Sequence, residues 1–181
     1  MRNGRRLVTA LSFLLFLCGA HVHAQRVAIK TNTLGWLTAS PNIEAEFILG
    51  RHISFNMGVM ANPISTDNLK TTFVHFQPEV RYWLNRPMVS HYLGVTAFAN
   101  SFNMMIKDVH HKGDAFAVGL TYGYAWVLSD HWNMEATAGL GILRYHQFKY
   151  DKGTPKPSAP TDTKTTIAPV RLGLSFVYII R

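Results

Sequence analysis

The chain has 181 residues, with 18 Lys and Arg against 10 Asp and Glu, a formal net charge of +8 and a single cysteine. This length allows one domain with a sizeable core, and one cysteine excludes an internal disulfide or a cysteine-based metal site. The positive excess is modest and comes without the basic helix or aromatic-basic motif of a nucleic-acid-binding protein, so no nucleic-acid partner is expected.

The start of the chain has the three parts of a secretory signal peptide. Arginines precede an apolar run over residues 7–17, which is too short to span a bilayer as a helix, and small residues precede a cleavage point after residue 24. We therefore predict a signal peptide over residues 1–24 and a single mature domain over residues 25–181. Cleavage would remove Cys18 and three arginines, which lowers the net charge from +8 to +5. A buried N-terminal helix is the alternative, and it fits the charged start less well.

Beyond residue 24, apolar residues recur at every second position, and Gly, Asn, Asp and Pro separate the runs. Such alternation between turn residues predicts β-strands. The eight strands are expected at residues 26–37, 42–50, 52–62, 72–85, 90–102, 115–129, 131–146 and 166–180.

The predicted connections alternate in length after a short first one. The second, fourth and sixth are the short stretches GRH, NRPMVS and SDH, whereas the third, fifth and seventh are long, polar stretches. Short turns at one end and longer loops at the other are typical of outer-membrane barrels, in which the turns are periplasmic. An even strand number then places both termini at the periplasmic end.

Each predicted strand has an apolar row and a polar row, and the polar row indicates which one faces inward. On one strand Phe76 and Val80 alternate with Glu79 and Arg81. The polar rows are rich in Gly, Asn, Ser and Thr with few charges, which is typical of a narrow interior. A soluble barrel buries its apolar row, and a membrane barrel exposes it to lipid. The sequence therefore predicts an all-β fold, an eight-stranded antiparallel up-and-down transmembrane β-barrel.

Aromatic residues near the predicted strand ends support a membrane location. Trp and Tyr favour membrane interfaces because one end of each side chain is apolar and the other hydrogen-bonds water. The residues in question are Trp36, Tyr82, Trp83, Tyr92, Trp126, Trp132, Tyr145 and Tyr178.

The charged residues of the inward row are expected to plug the barrel. An eight-stranded barrel is only wide enough for its own side chains, and a lone buried charge is costly. We therefore predict one connected polar network, with Arg81 and Arg171 as its multi-donor members. Its members are Lys30, Glu44, Glu46, Glu79, Arg81, Glu135 and Arg171.

The last strand, RLGLSFVYII, carries a polar residue, a glycine two positions later and aromatic residues at alternate positions. This pattern resembles the C-terminal signal that the barrel-assembly machinery reads during biogenesis. Arg171, Gly173, Phe176 and Tyr178 match it.

Five stretches resemble a family of uncharacterised outer-membrane proteins from Bacteroides-type bacteria, grouped as a domain of unknown function: KTNTLGWLTASPNIEAEFILG, FQPEVRYWL, HYLGVTAFANSFN, LTYGYAWVLSDHWNMEATAGLG and LGLSFVYII. The resemblance covers essentially the whole mature chain. It implies a small barrel in the outer membrane of a Gram-negative cell. Genes of this kind sometimes lie near fimbrial or adhesin genes, which implies a cell-surface role and surface or fimbrial proteins as candidate partners. The family has no established activity and supplies no catalytic residues.

One local group has residue types suited to chemistry, the stretch KDVHHKGD in the fifth predicted connection, with Asp108, His110, His111 and Asp114. His with Asp could perform acid-base work or bind a metal. The spacing matches no established motif, and adjacent His residues in a strand point to opposite faces. A solvated loop is the expectation, and we assign no catalytic residue, metal or cofactor.

Three functional hypotheses follow. The first is a non-enzymatic outer-membrane barrel with a structural, adhesion or envelope- and fimbria-associated role, in contact with outer-membrane lipid. The second is a barrel enzyme that modifies lipid or peptide, which a His-Asp pair within hydrogen-bond reach would support. The third is a soluble, lipocalin-like ligand-binding barrel, which a large apolar interior cavity would support. The sequence favours the first.

Overall fold

The computed structural model is a closed barrel of eight antiparallel strands in sequential order, and it describes residues 26–65, 70–106, 109–151 and 161–180. Each strand pairs with the next along the chain, and β1 pairs with β8 to close the ring. The predicted all-β, eight-stranded antiparallel barrel is therefore confirmed. The elements are β1 (Val27–Asn32), α1 (Thr33–Leu37), β2 (Asn42–Ile48), β3 (Ile53–Ser65), β4 (Lys70–Trp83), β5 (Ser90–Ile106), β6 (Val109–Val127), β7 (Trp132–Asp151) and β8 (Asp162–Ile180).

The barrel has two distinct ends. The terminal end contains residues 26 and 180 and the connections β2–β3, β4–β5 and β6–β7, and the hairpin end contains α1 and the other connections. The predicted signal peptide over residues 1–24 lies outside the described residues.

The first strand is shorter than predicted because α1 replaces its second half. The Asn32 side-chain oxygen accepts a hydrogen bond from the Leu34 backbone nitrogen at 3.1 Å, and Asn is a favoured residue at this capping position. The expectation of a strand through residue 37 was therefore wrong, since a short apolar stretch after Asn suits one helical turn as well as a strand. Within the described part of the chain, no helix is long and apolar enough to cross a membrane.

The strands differ in length around the barrel, and the longer strands extend farther at the hairpin end. Strands β5–β8 have 17 to 20 residues, against 6 and 7 for β1 and β2. Residues 109–114 and 147–151 were predicted to lie in loops, and this was wrong. Their polar composition resembles that of loops, but backbone pairing between β6 and β7 continues through them. The barrel wall is consequently tall along β5–β8 and low at β1–β2.

The two side-chain rows lie on opposite faces of the wall. Leu120 and Leu140 on the outer face are 69% and 64% exposed, whereas Glu46 and Arg81 on the inner face are 0% exposed. A soluble barrel has the reverse arrangement, with its apolar row inside.

A β-bulge fixes the inward position of Arg171. The β7–β8 register shifts between Gly139 and Leu140, and the consecutive residues Val170 and Arg171 are both buried, at 5% and 9% exposure. An extra residue in one strand interrupts the alternation locally and re-aims the side chains that follow. Arg171 thereby joins the interior charges contributed by the other strands.

Candidate functional site: the interior of the barrel

Arg81 on β4 is the centre of the interior site. Its guanidinium contacts three carboxylates, with Nη1 at 2.9 Å from Glu46 and 3.0 Å from Glu135 and Nη2 at 2.7 Å from Glu79. Glu79 lies two residues before Arg81 on the same strand, so strand alternation places both side chains on one face. A planar fork of donors suits such a multiple contact better than an ammonium group does.

Lys30 and Arg171 extend this cluster to both sides. Lys30 Nζ forms ion pairs with Glu46 and, at 2.7 Å, with Glu135. Arg171 Nη2 lies 2.5 Å from Glu44 Oε2, and its Nε lies 3.7 Å from Glu79. The structure therefore brings all seven predicted interior residues into one continuous chain of ion pairs.

Neutral side chains add hydrogen bonds to the carboxylates. Tyr92 donates its hydroxyl to Glu135 Oε1 at 3.0 Å, Asn56 donates Nδ2 to Glu44 Oε2 at 2.7 Å, and Ser54 and Thr121 donate to Glu46 and Glu79. Buried charges are tolerated when they are both paired and hydrogen-bonded. The sequence analysis did not identify these neutral members, although each shares the inward row of its strand with a charged residue or a glycine.

Three aromatic residues expected at the membrane interface belong instead to inner rows, and two of them are buried inside the barrel. Trp83 and Tyr92 are 0% exposed, their rings are 4.7 Å apart, and the Tyr92 ring lies 4.5 Å from the Arg81 guanidinium carbon. Trp83 also donates Nε1 to Ser54 Oγ at 2.8 Å. Tyr145 likewise belongs to the inner row of β7. The prediction failed because a position near a strand end does not determine whether a side chain points inward or outward. Alternation along the strand does, and Trp83 lies two residues after Arg81 and therefore on the same inner face.

Apolar side chains close the lumen between the ion-pair network and the terminal end. Met88, in the β4–β5 connection, is 3% exposed and packs with Ala28, Trp83, Ala125 and Val177. Its carbonyl oxygen accepts a hydrogen bond from Asn133 Nδ2 at 2.6 Å. The connection thus folds beneath the barrel, and this end of the lumen is filled.

On its hairpin side, the network borders a cavity of about 340 Å³. Glu44, Gln77 and Arg171 form its floor, and Arg171 Nη1 donates to Gln77 Oε1 at 3.1 Å. His75 and Phe98 line its wall with ring centroids 4.9 Å apart. This cavity could not be predicted from the sequence, because it depends on the uneven height of the wall.

The stretch KDVHHKGD does not form the expected solvated loop. Val109 to Asp114 begin β6 and pair with β5, and Asp114 lies opposite Ser101. Asp108 lies outside the described residues, and His110 and His111 occupy consecutive strand positions. Among the described residues, no group of three or more His, Cys, Asp or Glu is placed to hold a metal ion.

The four residues of the C-terminal pattern divide between the two faces of β8. Arg171 and Gly173 point inward, and a Cβ added at Gly173 would lie 3.1 Å from the side-chain nitrogen Nδ2 of Asn32. Phe176 and Tyr178 point outward with 45% and 42% exposure. The aromatic members are thus accessible from outside the barrel.

Residues 10–180 match the family model described as "Protein of unknown function (DUF3575)". No curated protein and no solved structure matches the chain. The match covers nearly the whole chain, and its description carries no activity. The outer-membrane address, the Bacteroides-type origin and the fimbrial neighbours implied by the resemblance stay predictions.

Proposed function

Because the chain belongs to the DUF3575 family, whose function is unknown, we propose its role from the barrel itself. The protein is an exported, non-enzymatic barrel that spans the outer membrane of a Gram-negative cell with a closed lumen and has a structural, adhesion or envelope- and fimbria-associated role. The observation that carries this proposal is the inverted distribution of side chains, with large apolar residues exposed outside and charged residues buried inside. That distribution suits an apolar solvent around the barrel.

The height of the outer apolar belt supports a bilayer as that solvent. On β7 the belt runs from Trp132 to Ile142, and the next outward residue is Arg144. These ten residue steps at about 3.4 Å each, with a strand tilt of about 40°, give a belt about 26 Å tall. Outer-membrane barrels have an apolar band about 25 Å tall.

Aromatic side chains at the terminal end supply an interfacial girdle. Trp132 packs edge-on against Tyr178 with ring centroids 5.0 Å apart. His52 stacks on Tyr82 at 5.7 Å, and His91 stacks on Tyr122 at 5.8 Å. Such amphipathic rings favour the headgroup level of a membrane. We place the terminal end in the periplasm and the hairpin end outside the cell.

The filled interior supports this role over the alternatives. A lipocalin-like barrel would bury apolar side chains around a ligand, whereas this lumen buries seven paired charges. An enzyme would require a converging catalytic group. The His-Asp pair of the KDVHHKGD stretch gains no support here, because Asp108 and the side chains of His110 and His111 lie outside what the structure describes.

Purification and conductance measurements test the proposal. We expect the protein in the outer-membrane fraction, dependent on detergent for solubility, and without steady conductance after incorporation into planar bilayers. A wild type that stays soluble and monomeric without detergent would contradict the membrane assignment. A steady, porin-sized conductance would contradict the closed lumen and would favour transport.

An inserted epitope tests the orientation. An epitope placed at Ser158, between β7 and β8, is expected to bind antibody on intact cells. Binding only after the outer membrane is broken would reverse the assignment of the two ends.

A further inference from the structure

A groove on the outer face crosses strands β4–β7 at the hairpin-end edge of the apolar belt. Its volume is about 430 Å³. The small residues Ala99 and Ser101 on β5 form its floor, between the larger side chains of Phe76 on β4 and Phe116 on β6. Phe76, Ala99 and Phe116 are paired in one row across the strands, so the small residues of β5 leave an apolar depression between the two phenyl rings. We call it the β5 groove.

The groove ends at a cationic group, the guanidinium of Arg144 on β7. Arg144 is the first outward residue of β7 beyond Ile142, and it is exposed. In the described ranges, no hydrogen bond or ion pair joins its guanidinium to another side chain. His146 lies two residues farther along, where its Nδ1 and Thr163 Oγ1 are 2.9 Å apart. If the belt spans the hydrocarbon layer, these two residues stand at the level of the lipid headgroups.

We propose that the β5 groove binds one phosphate-bearing lipid, with an acyl chain between Phe76 and Phe116 and the phosphate at Arg144 and His146. This inference rests on the proposed membrane-spanning role. A guanidinium matches a phosphate through paired donors. Phe76, Ala99 and Phe116 give the groove an apolar part beside that cation, so an acyl chain and a phosphate on the same molecule are complementary to its two parts.

Asp114 narrows the choice of headgroup. Its carboxylate lines the same end of the groove, opposite His146 in the β6–β7 register. A second negative charge on the lipid would be repelled there, whereas a hydroxyl could donate a hydrogen bond to the carboxylate. The site therefore suits a phosphodiester with a hydroxyl-bearing headgroup, of the phosphatidylglycerol type, better than a multiply charged phosphate monoester.

Lipid retention in nanodiscs tests the site directly. The full mature protein is reconstituted in phosphatidylcholine nanodiscs with a minor share of phosphatidylglycerol, and retained lipids are counted by native mass spectrometry. A cation near a membrane surface contributes about 1 kcal/mol, or about fivefold in affinity. We therefore expect wild type to enrich phosphatidylglycerol, and Arg144→Gln to reduce that enrichment about fivefold. Ala99→Phe, which fills the floor, should reduce it without changing the charge.

Two charge variants serve as controls. Lys164→Gln removes a positive charge on the alternate row of β8 at the same end, opposite Tyr145, and should leave the enrichment unchanged. Asp114→Asn removes the repulsion and should raise it. Equal enrichment by wild type and Arg144→Gln, or an equal loss in Lys164→Gln, would overturn the site while leaving a bilayer-spanning barrel intact. Failure of wild type to enter nanodiscs would overturn the proposed function itself.

Discussion

The two halves of the lumen are built from the same alternating strands, yet they are packed to different densities. In the terminal half, Arg81, Trp83 and Tyr92 are 0% exposed and their polar atoms are matched to neighbours. In the hairpin half, His75 and Phe98 are only half-buried and border a cavity of about 340 Å³. The lumen is therefore closed by the layer of side chains in its terminal half. Substitutions in the two halves should lower the free energy of unfolding by different amounts.

The difference has an identifiable origin in the sequence. The terminal half combines bulky and charged residues with glycines that leave room for them: a Cβ at Gly123 would collide with the Tyr92 ring, and one at Gly94 would lie 2.8 Å from Glu79 Oε1. In the hairpin half the wall is tall only along β5–β8, so inward side chains there have fewer strands opposite them.

Replacing the central guanidinium should give the largest effect. Arg81→Met leaves Glu46 and Glu135 with Lys30 as their remaining cation. Glu79 keeps only its longer contact with Arg171, and breaking a buried pair costs about 3–5 kcal/mol. The matched Arg171→Met change should cost less, because Arg171 and its partner Glu44 line the cavity. Urea unfolding in detergent measures both free energies. Equal losses in the two variants would contradict the division of the lumen into a sealed half and an open half.

A charge on the outer belt should have the next largest effect. Ala138→Arg places a guanidinium near the middle of the belt, where it costs about 2–4 kcal/mol in a membrane barrel. Leu37→Arg is the control, because Leu37 is 81% exposed on α1 at the rim, where the cost falls to about 0–1 kcal/mol. Folding yield into liposomes gives the comparison. A harmless Ala138→Arg would show that the outer face meets water.

Added volume should distinguish filled from open positions. Gly123→Ala directs a methyl group into the Tyr92 ring and should destabilise the barrel by about 1–3 kcal/mol, as overpacking does. Gly50→Ala, in the β2–β3 connection with nothing within 4 Å of its added Cβ, is the control and should be nearly neutral. Thermal unfolding in detergent compares the two, and a neutral Gly123→Ala would indicate a looser interior.

The smallest effect is expected in the open half. Phe98→Leu removes the ring contact with His75, and aromatic pairs contribute about 0.5–1.5 kcal/mol. Because the Phe98 side chain is already half-exposed to the cavity, little further burial is lost. A loss in unfolding free energy as large as that of Arg81→Met would show that this half is packed like the other.

Alternation predicted the fold and the interior charges because it follows directly from strand geometry. Glu79 and Arg81 share a row in any strand that contains both, and the β1–β2 pairing then sets Lys30 beside Glu44. The inward position of Trp83 follows from the same rule. Strand ends at Asp151 and Asn32 could not be predicted, since the first depends on pairing with a distant strand and the second on a helix cap.

The cavity and the β5 groove lay beyond sequence reasoning for a different reason. Each is bounded by side chains from several strands, such as Phe98 on β5 with Arg171 on β8. Alternation predicts the face on which a side chain lies, but not which residues of the neighbouring strands lie beside it. The β7–β8 bulge illustrates this, because one irregularity at Gly139 and Leu140 changes which residues of β8 point inward.

Spin labels on the outer row test the central claim, that this row faces lipid. Labels at Leu120 and Leu140, directly paired neighbours on β6 and β7, are compared in liposomes with a label at Asp130 in the β6–β7 connection. Oxygen concentrates in lipid and a nickel chelate stays in water, so their collision rates report the surroundings of each label. We expect oxygen to dominate at Leu120 and Leu140 and the chelate at Asp130. Chelate collisions dominating at Leu120 and Leu140 would contradict it.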